Sequence, residues 1–131
     1  MDQNTAVSSF KHHSMTEGTI ATKTFTWAEL MKGCCSPPYK GDCHQVEGTL
    51  VIQSDGKAHF SCVTWTVSTH SGDNWKVGFA LQDHSGVTLF NSPMHTGPRM
   101  DDGHPPPRYR WGFDFTFDPG IYDNIIQLKS A

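Results

Sequence analysis

Residues 108–117, with the sequence RYRWGFDFTF, alternate strictly between aromatic side chains and charged or small ones. Successive side chains of an extended strand point to opposite faces, so this alternation predicts a β-strand with one aromatic face. One face carries Trp111, Phe113, Phe115 and Phe117, and the other carries Gly112, Asp114 and Thr116. The strand favours a β domain in which Asp114 either faces water or lines a pocket.

Short strand-like segments separated by turn sequences continue along the chain. The clearest hairpin pairs residues 43–53 with 57–68 around Asp55-Gly56, a dipeptide typical of two-residue turns, and this turn places Ile52 opposite His59. Seven short elements, with no helix-period segment longer than about two turns, predict an all-β fold. We expect a small antiparallel β-barrel of about seven strands, with a β-sandwich as the alternative, because closure removes exposed strand edges.

The composition limits both the organisation and the partners of the chain. Its 131 residues suit a single domain, which we place at residues 21–131, after a polar and aperiodic segment at 1–20 that we expect to be a flexible tail. The net charge is −3 and lysine and arginine never cluster, which argues against nucleic-acid binding. No apolar run reaches the roughly 20 residues that span a bilayer, so no membrane insertion is expected.

Cysteine usage and the start of the chain bear on the cellular compartment. The first residues contain no apolar stretch typical of a signal peptide, which predicts a cytoplasmic protein, or a secreted one if a signal was removed upstream. Reduced thiols suit the cytoplasm, whereas a loop closed between Cys35 and Cys43 would suit export. The other two cysteines are Cys34 and Cys62, and the absence of a C-x-x-C pair argues against a zinc site.

A series of short motifs extends over about a hundred residues of the chain. The motifs are FTW at 25–27, GDC at 41–43, SDGKAHF at 54–60, DNW at 73–75, LQDHSG at 81–86, RYRW at 108–111 and FDPGIYDNI at 117–125. In this order they resemble a family of small, mostly actinobacterial β domains of unknown function. The resemblance implies a compact β domain and supplies no catalytic residue.

The candidate chemistry centres on Asp114, a carboxylate within an aromatic strand. In a pocket, burial would raise its pKa and make it a usable general acid or base, with His59 as a helper. We therefore predict a cofactor-free cyclase or isomerase of specialised metabolism that binds a hydrophobic small metabolite in its interior. The predicted substrate-binding residues are the surplus aromatic and basic side chains Trp65, Trp75, Tyr109, Arg110, Trp111 and His95.

Two other hypotheses remain open at the level of sequence. The loop at 92–107 is long enough to be a lid, and its His95, Asp101 and His104 would be the ligands of a metal-dependent enzyme, although their spacing matches no rigid metal scaffold and we predict no metal. The aromatic excess and the cysteines also suit a non-enzymatic module that binds a carbohydrate or a protein. A homodimer is compatible with either function.

Overall fold

The computed structural model describes residues 5–6, 9–14, 20–32, 42–69 and 72–130. This part of the chain is all-β with antiparallel strand pairs, and its one helix is a 3₁₀ helix at Pro119–Asn124. The strands are β1 (Thr5–Ala6), β2 (Ser9–Ser14), β3 (Ala21–Thr26), β4 (Leu30–Lys32), β5 (Cys43–Gln53), β6 (Lys57–Thr66), β7 (Lys76–Val77), β8 (Phe79–Gln82), β9 (Thr88–Asn91), β10 (His95–Thr96), β11 (Tyr109–Thr116) and β12 (Gln127–Ser130).

The larger sheet is built on the long hairpin of β5 and β6. Its strand order is β11-β6-β5-β3-β2, and the short strand β4 also pairs with β5. Along β5, two residues oppose one of β6 between Val46 and Thr49, which forms a β-bulge, and Glu47 at the bulge has a φ of 55°. A bulge re-aims the side chains of its strand, and here Glu47 comes within 3.1 Å of Arg110 on β11.

A smaller sheet, with the order β1-β12-β8-β9, packs against the larger one through aromatic rings. Phe79 of β8 lies 5.1 Å from Phe60 of β6, and Phe90 of β9 lies 6.3 Å from Phe115 of β11, as measured between ring centroids. Burying such rings removes a large apolar area from water. The aromatic face of residues 108–117 packs in and against this core.

The described strands bear on three expectations about the architecture. The strand orders of the described sheets run from one edge to another, and no closed barrel is found among the described strands. There are also more strands than seven, because several are only two to four residues long and leave little periodic pattern in the sequence. Within the expected tail, Thr5–Ala6 pairs with β12 and Ser9–Ser14 pairs with β3, since backbone pairing needs no apolar alternation.

The predicted register of the β5–β6 hairpin is wrong by one residue next to the turn and by two residues beyond the β-bulge. Ile52 lies opposite Ala58, and His59 lies opposite Val51. The loop holds three residues, Ser54 to Gly56, in which Gly56 takes a φ of 92° and donates its N–H to the Gln53 carbonyl. Such a loop shifts the pairs between the turn and the β-bulge by one position, and the bulge adds a second position to the pairs beyond it.

Within the described residues, we find no helix with the length and apolar character needed to span a membrane.

Candidate functional site

The two residues predicted to be catalytic are direct cross-strand neighbours. Asp114 of β11 pairs with His59 of β6 in the register of the larger sheet. The His59 Nδ1 atom lies 2.5 Å from Asp114 Oδ1. Their side chains are 60% and 79% exposed, respectively. The pair therefore lies on the outer, solvent-facing side of the larger sheet.

The alternation of the two strands explains this placement. Phe113 and Phe115 turn inward, so Asp114 between them turns outward, and the same period places His59 outward beside the inward-facing Phe60. The expectation of a carboxylate lining an interior pocket is thus not met. The phenylalanine rings of β11 pack in the core, whereas His59 and Asp114 lie on the outer face of the larger sheet.

A groove of about 470 Å³ lies on the outer face beside the pair. Its lining residues are Val51, Gln53, Lys57, Ala58, His59, Asp114, Phe115 and Thr116. The sequence analysis missed Lys57, although it lies two residues before His59 and therefore shares its face. The groove combines an apolar floor at Val51 with an ammonium, an imidazole and a carboxylate at its walls.

The geometry of the pair leaves one nitrogen of His59 available. Since Nδ1 faces Asp114, the other ring nitrogen, Nε2, has no hydrogen-bond partner among the described residues. A carboxylate that accepts a hydrogen bond from the Nδ1–H group fixes the tautomer and the orientation of the imidazole ring. In this arrangement Nε2 can accept a proton from a ligand, and Asp114 stabilises the resulting imidazolium.

A second pair of histidine and carboxylate lies at the opposite end of the same face. His44 Nδ1 is 2.7 Å from Glu29 Oε2, and the His44 ring stacks on Trp65 at a centroid distance of 5.0 Å. The guanidinium of Arg108 lies 3.8 Å from the Trp65 ring. Trp65, a predicted substrate-binding residue, is therefore covered by neighbouring side chains.

The other predicted substrate-binding residues do not gather around His59 and Asp114. Arg110 shares the outer face but pairs with Glu47. Trp111 donates its ring N–H to Thr64 Oγ1, and His95 stacks on Phe113 at 4.4 Å, both on the inward-facing side of β11.

Two further residues of this predicted set make contacts within the protein. Trp75 is almost fully buried in the core, and the Tyr109 hydroxyl accepts a hydrogen bond from the Asp101 N–H. The expected 92–107 loop contains the short strand β10, which pairs with β7. Met100, also in this segment, pairs with Asp73 through both backbone N–H groups. These contacts fix the segment along part of its length.

The structure does not bring the proposed metal ligands His95, Asp101 and His104 close enough together to share an ion. Among the described side chains, the grouping close enough to share an ion is Asp42, Cys43 and Asp73, and it contains none of the predicted ligands. Cys43 is disulfide-bonded, so its sulfur is not a thiolate ligand. The expectation of reduced thiols is thus wrong for Cys43, whereas Cys62 is free and buried.

The sequence was also compared with family models and known proteins. A family of unknown function, DUF6294, matches residues 49–130, which is more than half of the chain. The chain is a member of DUF6294. The predicted resemblance to small β domains of unknown function is confirmed, and the DUF6294 match contains both His59 and Asp114. Neither the comparison with curated proteins nor that with solved structures found a match.

Proposed function

We propose that the protein binds a small organic molecule in the outer-face groove and transfers protons to or from it through His59, with Asp114 as the positioning carboxylate. The observation that carries this proposal is the 2.5 Å contact between His59 Nδ1 and Asp114 Oδ1 at the edge of a groove. Imidazole works as a general acid or base near neutral pH because its ordinary pKa is about 6.5. The proposed reaction class is a cofactor-free isomerisation or cyclisation.

The lining of the groove suggests the chemistry of the ligand. Val51 offers an apolar contact, and Lys57 offers a positive charge on the same strand face as His59. A ligand that suits this surface has a hydrophobic body and an anionic or hydroxyl group. Its acidic C–H or O–H would lie within about 3 Å of His59 Nε2 for proton transfer.

We also infer that the larger sheet and the smaller sheet form a sandwich rather than a barrel. The open strand orders and the ring contacts from Phe60 and Phe115 to the smaller sheet support this arrangement. A sandwich of this kind places the ligand on a sheet surface, whereas a barrel would enclose it.

The proposal predicts that Asp114→Asn and His59→Gln each remove turnover. We would incubate the purified protein with a bacterial metabolite extract and follow substrate loss and product gain by untargeted mass spectrometry. Each variant should lower the rate roughly 10²–10⁴-fold, because it removes general acid–base catalysis or the group that orients it.

Glu29→Gln and His44→Gln provide matched controls, since they disrupt the other pair of histidine and carboxylate on the same face. These controls should retain turnover. Equal loss in all four variants would show a general effect on the sheet and contradict the proposed roles. Conversion that is unchanged in Asp114→Asn and His59→Gln would remove both residues from the mechanism.

A non-enzymatic binding module is the second candidate, and the disulfide at Cys43 favours it. Disulfides persist mainly in oxidising compartments, so this bond supports an exported protein that binds a carbohydrate or a protein. In that case the groove would retain its ligand unchanged. Native mass spectrometry of freshly purified protein distinguishes the two candidates, because a binding module would release the same molecule that it captured.

A further inference from the structure

The strand that carries Asp114 lies at an edge of the larger sheet. β11 pairs with β6 on one side, and the described part of the chain contributes no strand to its other side. It is eight residues long, and among the described strands only β5 and β6 are longer. A long edge strand presents unpaired backbone groups to which another strand can add.

The direction of the free backbone groups follows from one hydrogen bond. Phe117 donates its N–H to the Gly56 carbonyl at 2.8 Å, in the direction of β6. Residues two apart in a strand direct their backbone groups to the same side, and the register between β11 and β6 is unbroken. The N–H and C=O groups of Arg110, Gly112 and Asp114 therefore point away from β6, toward the open edge.

The charged residues of β11 are self-complementary when two copies of the strand pair antiparallel with Gly112 opposite Gly112. In an antiparallel pair of two such strands centred on Gly112, Arg110 of each copy lies opposite Asp114 of the other. The flanking residues Arg108 and Thr116 also face one another, and they place no like charges together. Charged residues at an edge normally repel another strand, but this arrangement attracts a second copy.

From these observations we infer that two copies of this chain dimerise by pairing their β11 strands antiparallel about a two-fold axis at Gly112. The interface is isologous, since each copy contributes the same surface. Arg110, Gly112 and Asp114 supply the new backbone hydrogen bonds. On the inner face, the half-buried rings of Trp111 and Phe113 become cross-strand neighbours and cover one another.

The pairing also changes the surroundings of the His59–Asp114 pair. Directly opposed residues of an antiparallel pair have Cα atoms about 5.5 Å apart when they share hydrogen bonds. Arg110 of the partner subunit then lies beside Asp114, whereas Arg110 of the same copy is four residues away along the strand. Within the chain, Arg110 makes an exposed ion pair with Glu47, and such pairs contribute little stability, so their exchange costs little.

Charge reversal at the two positions tests the inference. Wild-type protein should sediment with the mass of two chains at high concentration and approach the single-chain mass of 14.6 kDa on dilution. Arg110→Asp places two aspartates opposite each other, and Asp114→Arg places two arginines opposite each other. Each variant should sediment as a monomer under conditions in which the wild type is dimeric.

Mixing the two monomeric variants gives the decisive result. In the mixed pair, both aspartates of one chain face both arginines of the other, so a 1:1 heterodimer should form. The double variant R110D/D114R should likewise dimerise with itself. Arg108→Asp carries the same charge change as Arg110→Asp but faces Thr116, so this control should remain dimeric.

Hydrogen exchange of the wild type tests the same interface without any substitution. The Gly112 amide should be protected at high concentration and lose at least tenfold of this protection on dilution, while the Phe113 amide, directed at β6, should change little. A wild type that is monomeric at every concentration overturns the inference. A dimer that survives both single charge reversals, or variants that stay monomeric when mixed, would also overturn it.

Discussion

At the scale of single residues, Lys23 shows how this chain satisfies a buried charge. The side chain of this β3 lysine is 5% exposed, and its Nζ donates to the carbonyls of Tyr122 at 2.7 Å and Ile125 at 2.9 Å. Burial lowers the pKa of Lys23, while the Asp123 carboxylate opposes this shift. The ammonium also lies 4.4 Å from the Tyr122 ring. Lys23 thereby joins β3 to the end of the 3₁₀ helix.

Cys62 gives a prediction about stability at alkaline pH. Burial raises the pKa of its thiol from the ordinary 9.0 to about 12, against a smaller opposing effect of Arg110. Between these values the unfolded thiol loses its proton while the folded thiol keeps it. The free energy of unfolding should therefore fall as pH rises through this range, by about 1.4 kcal/mol per pH unit from this group. Urea unfolding across the range measures the slope.

Cys62→Ala is the control for this slope. It keeps Lys23 and Tyr122, whose pKa values are also shifted, so the difference between the two proteins isolates the thiol. The variant should be less stable at neutral pH, because truncation leaves a small cavity, and it should lose less stability as pH rises. Identical slopes would contradict the assignment.

At the scale of elements, the β5–β6 turn shows both the reach and the limit of sequence reasoning. The sequence correctly locates the hairpin, because the dipeptide Asp55-Gly56 between two strand-forming segments is typical of a hairpin turn. It does not settle the loop length, since Gly56 can take a positive φ in a two-residue or a three-residue loop. The observed loop is the one in which Phe60 and Leu50 both point into the core.

Gly56→Ala should destabilise the hairpin strongly. A Cβ at this residue would lie 2.5 Å from the Phe117 carbonyl oxygen, in addition to the strain of a left-handed φ of 92°. We expect a loss on the order of 3 kcal/mol in the free energy of unfolding.

Gly86→Ala is the matched control for this turn. Its φ of 81° is similar, but the nearest atom to an added Cβ is Gln127 Nε2 at 3.6 Å. Only the backbone strain applies there, and the expected loss is about 1 kcal/mol. Thermal or chemical unfolding of both variants measures the difference. Equal losses would show that the contact with Phe117 has no energetic importance.

At the scale of the whole molecule, the sequence predicts the β class better than it predicts the side of the sheet on which His59 and Asp114 lie. Alternation identifies Asp114 and His59 as residues on strand faces, and the structure brings them together. It does not reveal which face is covered, because that depends on how separate sheets pack. The sequence therefore predicts an interior pocket, whereas in the structure the rings of Phe60 and Phe79 pack against each other in the core. Two-residue strands such as β7 carry too few side chains to show a period.

The disulfide leads to a prediction for the complete chain. Since Cys43 is bonded and Cys62 is free, no more than two of the four cysteines should react with a thiol reagent after denaturation without reductant. In the native protein Cys62 should not react, because it is buried and its thiol stays protonated. Cys62→Ala should lower the denatured count by one. Four reactive thiols would remove the support for an oxidising compartment.

The link made by Lys23 has a practical consequence for anyone who dissects this chain. The family match begins at residue 49, inside β5, whereas Lys23 and Phe25 belong to β3, upstream of that point. A clone trimmed to the matched segment would discard half of β5 and leave the Tyr122 and Ile125 carbonyls without their ammonium. The segment that the family match covers is therefore shorter than the segment that these contacts hold together.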